Sequence, residues 1–182
     1  MSFNIAIDGP AGAGKSTIAK KIAAELSFIY VDTGAMYRAM GLLLLRKGID
    51  SKDAAAIEAA AREADVTIGY ENGEQQVYLN GENVTASLRT EEAGNMASAT
   101  SIYPGVRRQL TALQKELAAR QNVVMDGRDI GTAVLPDAQL KIYLTASSHV
   151  RAVRRYEELK AKGVDSDLSV IEADIIARIR EI

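Results

Sequence analysis

Gly9, Pro10, Ala11, Gly12, Ala13, Gly14, Lys15 and Ser16 read G-x-x-x-x-G-K-S without a gap, and Thr17 follows. Glycines at such a turn let backbone N–H groups point inward around phosphate oxygens. Lys15 then reaches the outer phosphates, and the Ser16 hydroxyl can ligate Mg2+. A helix beginning at this point adds the positive end of its dipole. The pattern implies a nucleoside triphosphate bound with Mg2+, but it does not say what becomes of the γ-phosphate.

A second charged stretch lies far along the chain. In "VVMDGRDIGT", Val123 to Thr132, an apolar run ends in Asp126, Arg128 and Asp129, spaced by Gly127 and Gly131. This is either a surface turn with a local ion pair or a pocket floor that handles a charged ligand. A phosphoryl acceptor that is itself a phosphate needs several arginines, so that two anions can meet. Arg38, Arg89, Arg107, Arg128, Arg151, Arg154 and Arg155 are candidates. Singly, each reads as a solvated surface residue. Their grouping after strand-like runs and on one late helix is what suggests a site.

The elements that must position these residues can be read from periodicity. "FNIAIDG", "FIYVDTG", "NVVMDG" and "LKIYLTA" are short strand candidates. Helical patterns follow in "KSTIAKKIAAELS", "AMYRAMGLLLLRKG" and "SKDAAAIEAAAREA", the last capped by Ser51 or Asp53. Leu42 to Leu45 are expected in the core. "PGVRRQLTALQKELAAR" carries Val106, Leu110, Leu113 and Leu117 on one stripe, and an Arg-rich helical end from Ser147 breaks at Lys162–Asp167. Strands alternating with helices imply an α/β fold with a mainly parallel sheet, whose ligands sit at the carboxyl ends of strands. Gly9, Asp32 and Asp126 are at such ends. Asn72-Gly73 and Asn80-Gly81 each join β-type runs, so Val66 to Thr85 is expected to be a small antiparallel meander inserted in that alternation.

Composition narrows the classes. The chain has 182 residues, 47% hydrophobic and 25% charged, as one soluble domain would. A net charge of -2 supplies no field for duplex nucleic acid, so any anion site is local. There is no cysteine, and the single histidine, His149, is read as part of a helix start. No signal peptide is visible and no apolar run is long enough to span a bilayer. No heptad seam is seen. A cytoplasmic monomer without nucleic-acid or membrane partners is expected.

"IDGPAGAGKST", "VDTGAMYR", "LRTEEAGNMAS" and "DGRDIGT", in this order and spacing, resemble the bacterial cytidylate (CMP) kinases over nearly the whole chain. The resemblance implies a P-loop NTPase-type parallel sheet flanked by helices, with the meander in an acceptor-binding insert and an Arg-rich helical lid. The core is then expected at 1–50 and 95–146, the insert at 51–94 and the lid at 147–182. The implied reaction moves the γ-phosphoryl group of ATP, bound with Mg2+, to CMP or dCMP. By the same resemblance Arg128 grips the CMP phosphate and Asp129 meets the cytosine, where a carboxylate can accept from the N4 amino group and disfavours uracil. Thr33 and Arg38 belong near the acceptor phosphate, Ser98 and Arg107 on the base. Arg151 and Arg155 belong to the lid over the triphosphate, with Arg178 at its end and on the acceptor side. Ser16 and Asp126 hold the metal or its waters.

The resemblance has a limit. The family usually continues past "ADIIARIREI" with a Pro-Leu segment, a strand and a helix. Ile179 stands where it usually has Asp, and the later Asp and Arg that contact the acceptor have no counterpart. An incomplete chain is therefore expected, with one sheet edge stripped; a natural short form is the alternative. Other functions are a P-loop kinase for another small acceptor, an ATP-binding form that is inactive, and a GTP-dependent switch. The Asn-Lys-x-Asp segment that usually reads guanine in such switches does not occur.

Overall fold

The computed structural model describes residues 2–180, the side chains of 178–180 excepted. The chain opens with β1 (Asn4–Asp8), α1 (Lys15–Leu26), β2 (Ile29–Asp32), α2 (Thr33–Arg46) and α3 (Ala54–Glu63). Three strands follow: β3 (Val66–Glu71), β4 (Glu74–Leu79) and β5 (Glu82–Asn83). A 3-10 turn at Thr85–Arg89 leads into α4 (Glu91–Thr100) and α5 (Pro104–Arg120). Then come β6 (Val123–Gly127), a π-type turn at Ile130–Val134, β7 (Leu140–Tyr143), α6 (Ser148–Ala161) and α7 (Leu168–Arg180).

The sheet has the order β2-β6-β1-β7, all parallel. Its register puts Asp32 opposite Asp126 and Asp8 opposite Gly127. The carboxyl ends of the strands are thus level, and the loops that leave them share one edge. Side chains alternate across the sheet. Ile5, Ile7 and Val124 face α1 with Ala19 and Ala23, while Ala6 and Met125 face the larger core of α2, α3 and α5.

The insert is the expected meander, order β3-β4-β5 and antiparallel. Asn72 and Gly73 have φ of 52° and 79°, Asn80 and Gly81 50° and 83°, the left-handed pair that a tight hairpin needs. The α4 backbone lies so close to α2 that a Cβ on Gly41 would come within 2.9 Å of Ala93 O and Ala97 N.

Two expectations about the core change. Leu43 and Leu44 are buried and Leu42 is half-buried, but Leu45 is exposed, because a helix cannot turn four consecutive side chains to one face. On α5 the buried stripe takes in Val106, Leu110, Gln114 and Ala118, with Leu113 and Leu117 half-buried at its side. The α3 cap is Asp53, whose side chain accepts from the Ala56 N–H.

Candidate active site

The loop from Gly9 to Ser16 leaves β1 and enters α1 through backbone that only glycine adopts freely. Gly12 and Gly14 have φ of 76° and 94°. A Cβ on Gly9 would stand 1.9 Å from Leu144 O, so β7 and the loop meet only because that residue has no side chain. Pro10 and Ala11 present carbonyls to basic side chains: Lys15 Nζ donates to Pro10 O at 2.9 Å and Arg151 Nε to Ala11 O at 2.7 Å. Arg154 Nη1 donates to Gly12 O at 2.9 Å. A cleft of about 460 Å³ lies beside the loop, between Gly12, Ala13, Gly14 and Thr17 on one side and Arg154, Glu157 and Glu158 on the other.

Charge concentrates behind this loop. Asp126, 4% exposed, accepts from Ser16 Oγ at 2.8 Å and from the Tyr30 hydroxyl at 3.1 Å. Burial pushes its carboxyl up to about 6, helped by the facing Asp32 and opposed by those two hydrogen bonds and by Lys15. Burial also lowers Lys15; Asp126 opposes that shift and Arg128 adds to it. Arg151 is lowered by burial first and by Arg128 second. Arg128 is therefore in electrostatic reach of both. Lys15 and Arg151 on the loop, with Arg128 directly after β6, put three cationic residues at the carboxyl edge of the sheet, where they would favour an anion of high charge. Ser16 and Asp126 together are hard oxygen donors of the kind Mg2+ takes, alongside waters and substrate phosphates. Among the described residues no group of three or more His, Cys, Asp or Glu side chains could hold a metal, so a cation here would share its ligands with a bound phosphate.

A second cluster lies beyond Arg128. Arg107, in the first turn of α5, pairs through Nη2 with Asp129 Oδ2. Both side chains are 37% exposed, so the pair is open to a ligand. Tyr37 flanks them: burial raises its hydroxyl, Arg107 lowers it and Asp129 raises it again. The start of α5 is held by Glu58 of α3, whose Oε1 accepts from Gly105 N–H at 2.8 Å.

The sequence-selected residues divide accordingly. Gly9 to Thr17, Asp126, Arg128, Asp129, Arg107 and Arg151 are gathered along one edge. Thr33 is buried and its Oγ1 donates to Asp126 O at 2.8 Å, so its hydroxyl joins the ends of β2 and β6. Arg38 is exposed on α2, near Gly34. Ser98 is exposed on α4, and its carbonyl accepts from Ser101 Oγ at 3.1 Å. Arg155 does not reach the loop; its Nη1 meets Glu158 at 3.4 Å on the outer face of α6. The Arg178 side chain lies outside the described residues.

Tyr30, Tyr37 and Asp8 have no role that the sequence alone declares, and the family resemblance pairs Arg155 rather than Arg154 with Arg151. Arg154 and Arg155 are three and four residues after Arg151, and both spacings share a helix face, so spacing alone cannot separate them. Tyr37 stood inside the quoted "DTGAMYR" stretch, which was its only signal.

The family model described as cytidylate kinase matches residues 5–181. A protein of Bacillus licheniformis named cytidylate kinase is 50% identical over 176 residues, covering 96% of this chain and 77% of its own length. One from Shouchella clausii with the same name is 48% identical, covering 97% of this chain and 78% of its own. A third, from Caldicellulosiruptor bescii, is 52% identical over 165 residues, covering 91% and 73%.

Proposed function

The chain belongs to the cytidylate kinase family, a kinase that phosphorylates CMP with ATP, and we propose that its two clusters are the donor and acceptor halves of that reaction. The γ-phosphate of ATP lies on the loop Gly9–Thr17, and CMP or dCMP lies against Arg38, Arg128, Arg107 and Asp129. What carries this reading is the end of β6. Asp126 accepts from Ser16 Oγ of the phosphate loop at 2.8 Å on one side, and past Arg128 the Asp129 carboxylate pairs with Arg107 on the other.

An oxygen of the CMP phosphate attacks the γ-phosphorus, and the bond to the bridging oxygen breaks as ADP leaves. The acceptor phosphate is already a nucleophile, so no general base is required. Positioning and charge neutralisation supply the acceleration. Lys15 and Arg151 stabilise charge on the transferring group, and Arg128 offsets the acceptor phosphate, with Thr33 and Arg38 beside it. Mg2+ bound with ATP would neutralise further phosphate charge, and Ser16 and Asp126 are the residues that would hold it or its waters. Residues 147–182 act as a lid that excludes water from the phosphates.

Asp129 accepts from the N4 amino group of cytosine, where uracil would set a carbonyl against a carboxylate. Ser98 and Arg107 complete the base site. The reading places a monomeric enzyme in the cytoplasm. No described helix is long and apolar enough to cross a membrane.

The test is ADP release by the full chain with Mg-ATP and CMP, dCMP, UMP or AMP as acceptor. Turnover with CMP and dCMP well above UMP and AMP is expected. Equal turnover across the four, or a preference for AMP, would overturn the assignment of the acceptor site.

A further inference from the structure

Asp8 is the last residue of β1, immediately before the phosphate loop. Ile5 and Ile7 face α1, so the strand's alternation turns Asp8 to the other side of the sheet. Asp8 is 8% exposed. Oδ1 accepts from Ile130 N–H at 2.6 Å and Oδ2 from Gly131 N–H at 2.8 Å.

Those two N–H groups open the turn Ile130–Val134. Groups at the start of a helical turn have no partner within it, and the usual supplier is the side chain of the preceding residue, for which Asp is a preferred type. Asp129 occupies that position, yet its side chain makes no capping bond. Its carboxylate is paired with Arg107 instead. The role that belongs to Asp129 by position is filled by Asp8, 122 residues before Ile130 in the chain.

We propose that Asp8 is a positioning residue for the acceptor site, a remote cap that satisfies the turn and leaves Asp129 to face Arg107 and the base. This rests on the reading of Arg128 and Asp129 as acceptor-binding residues. The Ile130 N–H belongs to the peptide unit of Asp129, so Oδ1 grips the backbone directly behind that side chain. Both carboxylate oxygens are used, which an amide cannot reproduce: asparagine has one acceptor oxygen, and its NH2 would oppose the second N–H. Gly131 is part of the device: a Cβ there would stand 3.2 Å from Asp8 Oδ2 and 3.2 Å from Cδ of the flexible Lys141 side chain. Asp8 thereby ties the strand that launches the phosphate loop to the turn that presents Asp129.

Asp8→Asn and Gly131→Ala in the full chain test this, with kcat, KM for CMP and for UMP, and the Kd of Mg-ATP by equilibrium binding. KM for CMP is expected to rise about tenfold and the CMP-over-UMP preference to fall, with the Kd of Mg-ATP changed by less than about twofold. A residue that merely supported the fold would worsen CMP and ATP binding together and leave the preference unmoved; that result overturns the proposal. Should Asp8→Asn fail to fold, Gly131→Ala carries the same expectation, because it crowds the contact without removing a charge. Asp129→Asn, measured alongside, separates the two readings. If it leaves the preference at the wild-type value, the acceptor assignment fails and the proposal with it. If it shifts the preference and neither Asp8→Asn nor Gly131→Ala does, the proposal alone fails. In the Asp8→Asn, Asp129→Asn double variant, the preference should stay where Asp129→Asn put it.

Discussion

The side-chain amide of Gln75 makes to Asp32 both bonds that a neighbouring strand would make. Its Oε1 accepts from the Asp32 N–H at 2.9 Å, and its Nε2 donates to the Asp32 carbonyl at 3.1 Å. The Tyr70 hydroxyl adds a bond to Tyr30 O at 2.9 Å. Insert side chains thus complete the edge of β2. Asp32 in turn caps α2 by accepting from the Ala35 N–H at 3.0 Å, so the insert is coupled to the helix that carries Arg38.

Gln75→Ala would leave both Asp32 groups to water. An unfolding free energy lower by about 1–2 kcal/mol is expected, measured by urea titration, together with a raised KM for CMP and an unchanged KM for ATP. A raised KM for ATP alone would contradict the coupling.

Asp126 is predicted to trade stability for function. Its carboxyl is raised in the folded protein to about 6, by burial first and Asp32 second. An acid raised on folding favours the native state when protonated. That contribution is complete below the unfolded value of about 4 and is lost as pH rises through about 6. Keeping the group ionised at pH 7 costs on the order of 3 kcal/mol. Asp126→Asn should raise the unfolding free energy at pH 7 by about 1–3 kcal/mol, less at pH 4, and lower kcat by roughly 10²–10³. Urea titrations at both pH values check it; an equal loss of stability at both would contradict the account.

Arg154 and Arg155 are neighbours with different expected effects. Arg154 holds the Gly12 carbonyl at 2.9 Å, whereas Arg155 meets Glu158 at 3.4 Å on an exposed face. Arg154→Ala should weaken Mg-ATP binding about tenfold, and Arg155→Ala by less than about twofold. Equilibrium binding of Mg-ATP decides. The reverse order would mean that α6 turns when nucleotide binds, bringing Arg155 to the loop as the family resemblance implies.

What could be read from the sequence was local. The phosphate loop is contiguous, and its glycines declare the backbone they adopt. Each Asn-Gly turn announces its hairpin in the same way. Arg107 and Asp129 stand out by charge and position, the family resemblance gives them the base, and the fold then brings the first turn of α5 against the residue that follows Arg128. Asp8 stands inside the quoted "IDGPAGAGKST", but its role was hidden because its partners, Ile130 and Gly131, are remote in sequence and offer only backbone N–H groups, which no residue type reveals. Gln75 was hidden for the same reason. Leu45 was misplaced because a run of leucines conceals which side of the helix meets the core.

The most direct test of the central claim is the ratio of kcat/KM for CMP to that for UMP, measured with Mg-ATP in the wild-type chain and in Asp129→Asn. A large wild-type ratio is expected, collapsing at least about tenfold in the variant, chiefly through weaker use of CMP. A ratio unchanged by the substitution would contradict the claim that the Arg107–Asp129 pair reads the base.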